Sequence, residues 1–172
     1  SYVALRQGDA VGLCTFAGER SRYLAPVKGS SQLNLLLNAV YDLDTTRRTA
    51  DYEVAATQLL ARQKRRALVI VVTNLRDEDD DALLSAVNRI SRHHRVLVAS
   101  LREEVLDQLR QAPVQTLAEA LAYSGAVDYL NTRNELHDRL AAHGLSVLDT
   151  SPSELGADLV TRYLGWKKAG VF

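Results

Sequence analysis

"RALVIVVTNL", residues 66–75, decides the fold. Its core, Ala67 to Val72, is apolar without a break, so an extended conformation carries apolar groups on both faces. That is the mark of a parallel strand covered by helices on each side. Downstream, "DDDALLSAVNRISRHH" (79–94) has an acidic start suited to the positive end of a helix dipole. "RVLVASL" (95–101) is the next strand, 103–110 a short helix, and 116–142 a long helical stretch in which Gly125 is a candidate break. "LSVLD" (145–149) and residues 152–168 supply the last strand and helix.

Upstream, residues 2–7 read as the last turns of a helix stopped by Gly8. "VGLCTFA" (11–17) is a buried strand, and "RYLAPV" (22–27) is an edge strand because Pro26 cannot donate to a ladder. Leu33, Leu36, Leu37, Val40 and Tyr41 mark the inward face of one helix. Tyr52, Ala55, Ala56, Leu59 and Leu60 mark another. Strands alternating with helices give an α/β layered fold with a mainly parallel sheet.

The 172 residues suit a single domain over 1–172. Lys plus Arg and Asp plus Glu both number 21, so no global field attracts nucleic acid or an anionic membrane. Cys14, the sole cysteine, excludes an internal disulfide and behaves as a small buried hydrophobe. The chain has no Met and opens in a helical pattern, which reads as a piece of a longer protein. Nucleotide-binding, serine-hydrolase and zinc-protease motifs are absent, which leaves no positive warrant for an enzyme.

Four local features invite a functional reading. Asp149-Thr150-Ser151-Pro152-Ser153 spells D-x-S-x-S, a magnesium-loop pattern. A local account is simpler: Ser151 as N-cap, Pro152 first in the helix and Glu154 third give a capping box. Leu155, Leu159, Arg162 or Tyr163, and Trp166 then face inward. His93 and His94 close a helix, while His137 and His143 read as solvated. The acidic run Asp77 to Asp81 opens a helix at the ligand edge of the sheet, and Lys64-Arg65-Arg66 ends one at the opposite edge.

"YVALRQGDAVGLCTFAGERSRYLAPVKG", "ADYEVAATQLLARQKRRALVIVVTNLRDED" and "LSVLDTSPSELGADLVTRYLGWKKAG" resemble, in order, the bacterial family called domain of unknown function 58. That resemblance implies a C-terminal von Willebrand factor A-type domain: a three-layer Rossmann-like sheet of order 3-2-1-4-5-6 with one antiparallel edge strand. It implies a membrane-anchored bacterial parent with this part in the cytoplasm, and a MoxR-type AAA+ ATPase as partner in assembly or metal insertion. In such domains three loops hold Mg²⁺, yet the first strand and its loop precede Ser1, the Thr position falls on Ala50, and the Asp position falls on Asn74. Oxygen ligands without carboxylates hold a hard dication weakly. The adhesion-type metal site is therefore degenerate: no metal or other cofactor is expected here, and only the full-length parent leaves room for Mg²⁺.

Without its first strand, the family order leaves the second and fourth strands unpaired. They are expected either to pair, giving 3-2-4-5-6, or to be bridged by another copy of the chain. The function so implied is a non-enzymatic protein-interaction module whose rim carries Thr49, Asp51, Thr73, Asn74 and Asp77. Its rival is a small-molecule-binding or hydrolytic α/β domain using Asp51 and Asp77 in the same crevice.

Overall fold

The computed structural model describes residues 1–16, 21–41, 43, 50–75 and 80–172. They form two compact units, Ser1–Arg65 and Arg66–Phe172. The architecture is mixed α/β, with an antiparallel strand pair in the first unit and a three-stranded parallel sheet in the second.

In the first unit, α1 (Tyr2–Arg6) stops at Gly8, whose φ of 79° lies in the left-handed region that glycine enters freely. Strands β1 (Val11–Cys14) and β2 (Tyr23–Val27) pair antiparallel, with Val11 opposite Val27 and Leu13 opposite Leu24. Gly12 therefore faces Ala25 and Pro26 together, a bulge at the residue that cannot donate. The buried Gln32 mends this gap: its amide nitrogen donates to the carbonyls of Val11 (2.9 Å) and Ala25 (3.2 Å). A Cβ on Gly12 would come within 2.7 Å of the Leu24 carbonyl oxygen, so the position admits only glycine without a shift of backbone.

Helix α2 (Ser31–Tyr41) forms over the anticipated residues, but its apolar stripe is not covered. Leu36 is buried, whereas Leu37 and Val40 are exposed and Tyr41 is 91 % exposed. Periodicity identifies the face that needs cover, not whether cover is present. Helix α3 (Tyr52–Arg62) buries Tyr52 and Ala56, and the Tyr52 ring packs on Phe16 at 5.4 Å between centroids. Lys64 donates to the Leu60 carbonyl at 2.9 Å, as a basic helix end should. Cys14 is half-buried, and burial pushes its thiol pKa up, with Arg62 opposing.

In the second unit, β3 (Leu68–Thr73), β4 (Arg95–Leu101) and β5 (Ser146–Thr150) run parallel in the order β3-β4-β5. The expected single sheet of order 3-2-4-5-6 is not formed, since β1 ladders to β2 and β3 to β4 among the described residues. An apolar edge states a need for cover, which side-chain packing can meet in place of another strand. The strand buried on both faces is β4, from Val96 to Ser100. On β3, Ile70 and Val72 remain 37 % and 40 % exposed, so one face of that strand lacks the helical cover its sequence calls for.

Helices α4 (Asp80–Ser91) and α6 (Leu117–Ala142) lie together, joined by an ion pair from Arg139 to Asp81 at 2.7 Å. Helix α6 runs 26 residues through Gly125 without a break. Its start is fixed by a capping box: Thr116 accepts from the Glu119 amide, and the Glu119 carboxylate accepts from the Gln115 and Thr116 amides. Those amide bonds hold the Glu119 carboxyl below its usual range. Thr116→Ala is expected to cost about 1 kcal/mol in urea denaturation, the usual loss for an N-cap hydroxyl. Tyr129 donates to the Leu75 carbonyl at 2.9 Å, which pins the middle of α6 to the C-terminal sheet edge. The turns before it project past the sheet beside α5 (Glu104–Gln111), with Leu117 and Leu121 exposed. Helix α7 (Leu155–Lys168) returns along β5 with Tyr163 buried; Arg162 lies exposed over the Trp166 ring instead of facing inward.

Candidate functional site

Parallel strands end together, so the C-terminal edge of β3-β4-β5 gathers whatever residues close each strand. Thr73 is opposite Ser100, and Ser100 opposite Asp149. Register partners share a face, so these three polar residues form one row across the sheet. Thr73 donates to the Asn74 carbonyl at 3.2 Å, and Asn74 follows it, exposed.

Helix α6 supplies the counter-charge. Arg133 lies on the stripe Ala126, Leu130, Arg133, Leu136, Leu140 that α6 buries. Its Nη2 donates to Asp149 Oδ1 at 2.6 Å, with side-chain exposures of 2 % and 32 %. One turn on, His137 is half-buried. Burial pushes its pKa below the ordinary imidazole value; Asp149 and Asp138 raise it and Arg133 lowers it further. Ser100 is fully buried, and its Oγ has no hydrogen-bond partner among the described residues.

The D-x-S-x-S segment is not the expected capping box. Helix α7 begins at Leu155, and Ser151 Oγ donates to the Glu154 carboxylate at 3.0 Å instead of accepting from its amide. A turn through 152–154 intervenes, closed by the Glu154 and Leu155 amides on the Ser151 carbonyl. Thr150 donates to Asp158 at 2.6 Å, and Ser153 to Glu104 at 3.3 Å. Asp149, Thr150, Ser151 and Ser153 are thus each engaged within the fold, and no group of three His, Cys, Asp or Glu side chains gathers as a metal cage among the described residues.

Of the anticipated rim residues, Thr73 and Asn74 stand at the sheet edge. Asp51 belongs to the first unit, where its carboxylate caps α3 by accepting from the Val54 amide at 2.9 Å. Thr49 and Asp77 lie outside the described residues. The sequence reading missed Arg133, Ser100 and the engagement of Asp149, and it placed His137 in solvent. A signal for Arg133 existed, because an arginine on the apolar stripe of a helix requires a buried acid nearby.

His137 makes the edge pH-sensitive. Its folded pKa is lowered, so as pH falls through about 6.5 the unfolded chain takes up the proton first. Stability is expected to be flat above that value and to decline below it. His137→Gln should flatten the acid limb in denaturation midpoints taken between about pH 7.5 and about pH 5.5.

A family model described as "Protein of unknown function DUF58" matches residues 1–144. The chain belongs to the DUF58 family. No curated protein and no solved structure matches this DUF58 chain. Among its described residues no helix is long and apolar enough to cross a membrane.

Proposed function

We propose that this DUF58 chain is a non-enzymatic protein-interaction module of von Willebrand factor A type, with β3, β4 and β5 as the last three strands of that sheet. It engages its partner through the rim at the C-terminal edge, where Thr73 and Asn74 stand. The observation that carries the reading is the paired carboxylate of the polar row: Arg133 occupies Asp149 at 2.6 Å, and the Thr150 and Ser151 hydroxyls are bonded to Asp158 and Glu154. Thr73 and Asn74 are themselves hydrogen-bonding and uncharged, which suits protein recognition better than acid–base chemistry. The partner implied by the family resemblance is a MoxR-type AAA+ ATPase, in assembly or metal insertion, with the module on the cytoplasmic side of a membrane-anchored parent.

Calorimetry of the chain with such an ATPase tests this. A complex that Asn74→Arg weakens at least about tenfold, at unchanged melting temperature, supports the rim as the contact. Turnover of an ester or phosphoester substrate would instead favour a hydrolytic domain. Magnesium should bind no tighter than about 1 mM, the weak end of protein sites for hard cations, and Asp149→Ala should leave that value unchanged.

A further inference from the structure

The zero net charge conceals a segregation along the sheet axis. In the second unit, Glu103, Glu104, Asp107, Glu154 and Asp158 follow the strand ends or open the helices at the C-terminal edge, and Asp149 stands next to last in β5. The stretches that reach the opposite edge (66–68, 89–97, 139–148 and 159–172) hold no Asp or Glu. Arg66 leads into β3, Arg92 and Arg95 into β4, and Lys168 ends α7. Helix α7 spans both edges: Thr150 holds Asp158 at its start, and the Arg95 guanidinium lies 5.0 Å from the Trp166 ring near its end.

Beside α7 is an open groove of about 400 Å³ lined by Leu148, Asp158, Thr161, Arg162, Gly165 and Trp166. That volume is within the range of ligand sites. Arg162 also flanks the indole, 6.0 Å from its centre. Among the described residues Arg66, Arg92, Arg95, Arg162 and Lys168 form no ion pair. Two guanidinium groups without a carboxylate near one aromatic ring, Arg162 in the groove lining and Arg95 (which also donates to the Ser146 hydroxyl at 3.3 Å) beside it, are complementary to an acidic segment with an apolar side chain. The groove's one acid, Asp158, is engaged by Thr150 at the far end. Trp166, on α7, is half-buried in the groove lining instead of projecting, which fits a peptide in the groove better than a planar bilayer.

We propose that the groove between α7 and β5 docks an acidic peptide segment of a partner protein, its carboxylates on Arg95 and Arg162 and an apolar side chain against Leu148 and Trp166. This surface runs along α7 beside β5, two strands across the sheet from the β3 rim of Thr73 and Asn74, and neither reading depends on the other.

Trp166 is the only tryptophan, so its fluorescence and indole N–H resonance report this groove alone. The test titrates the full chain with the end-blocked peptide Glu-Glu-Leu-Phe-Glu-Glu and with its lysine counterpart. The acidic peptide is expected to shift both Trp166 signals and the basic one to shift neither. Raising salt from about 0.05 M to about 0.5 M should weaken binding. Arg162→Glu should reduce affinity at least about tenfold. Gly165→Leu, where an added Cβ meets no atom within 4 Å, should block the groove with all charges retained. Asn74→Arg should bind the peptide as the parent chain does. Silent Trp166 signals, equal binding of both peptides, or full affinity in Arg162→Glu would overturn the proposal. So would a Trp166 shift produced by phosphatidylserine vesicles and not by the peptide.

Discussion

Asp149→Ala is expected to lower the unfolding free energy of the second unit by about 3 kcal/mol, the low end of the range for breaking a buried ion pair. The reason lies in the residue left behind. Arg133 has a side chain only 2 % exposed, so losing its carboxylate strands a charge where water cannot replace it. Its Nε already lacks a partner among the described residues, which leaves little to share the charge with. Asp149 is 32 % exposed, and that partial hydration sets the estimate at the low end of the range. The same asymmetry orders the variants. Arg133→Met leaves a carboxylate that can hydrate, and should cost about 1–2 kcal/mol. The double variant should be more stable than Asp149→Ala alone, since no buried charge remains. Urea denaturation followed through Trp166 measures all three. Equal losses in the two single variants, or a loss under roughly 0.5 kcal/mol for Asp149→Ala, would show that the pair is solvated and does not secure α6 to β5.

The reach of the sequence can be traced residue by residue. Strand β4 occupies Arg95–Leu101, the bounds its sequence suggests, and α3 buries Tyr52 and Ala56 from the inward set. These elements are governed by local periodicity, which one segment states by itself. The exposed stripe of α2 and the half-bare face of β3 follow from what lies opposite them, which no segment encodes alone. The candidate site divides the same way. Thr73 and Asn74 were legible as the end of a strand whose direction was known. Ser151 and Glu154 were read as a cap because their spacing suits one, yet the turn through 152–154 delays the helix and turns the hydroxyl onto the carboxylate. The Arg133–Asp149 pair joins residues sixteen apart in different elements. Only the helical stripe that buries Arg133 pointed to it.

Leu140→Ala should cost about 3 kcal/mol, within the range measured for emptying a packed leucine site. Leu140 has 0 % exposure and stands where α6 hands over to β5, its carbonyl accepting from the Leu145 amide at 3.1 Å. Gly144, with φ of 74°, makes the turn between them. A cavity there withdraws contacts from α6 and from the approach to β5 at once. Leu121→Ala is the internal control: the same exchange in the same helix, at a position 67 % exposed and beyond the sheet edge. Both variants carry the same change in helix propensity, so their difference isolates burial. Leu121→Ala should stay within roughly 0.5 kcal/mol of the parent chain. If both cost the same, the projecting half of α6 would have to be packed as tightly as its lower half. The partition of this helix into an anchored segment below Tyr129 and an exposed one above it would then be wrong.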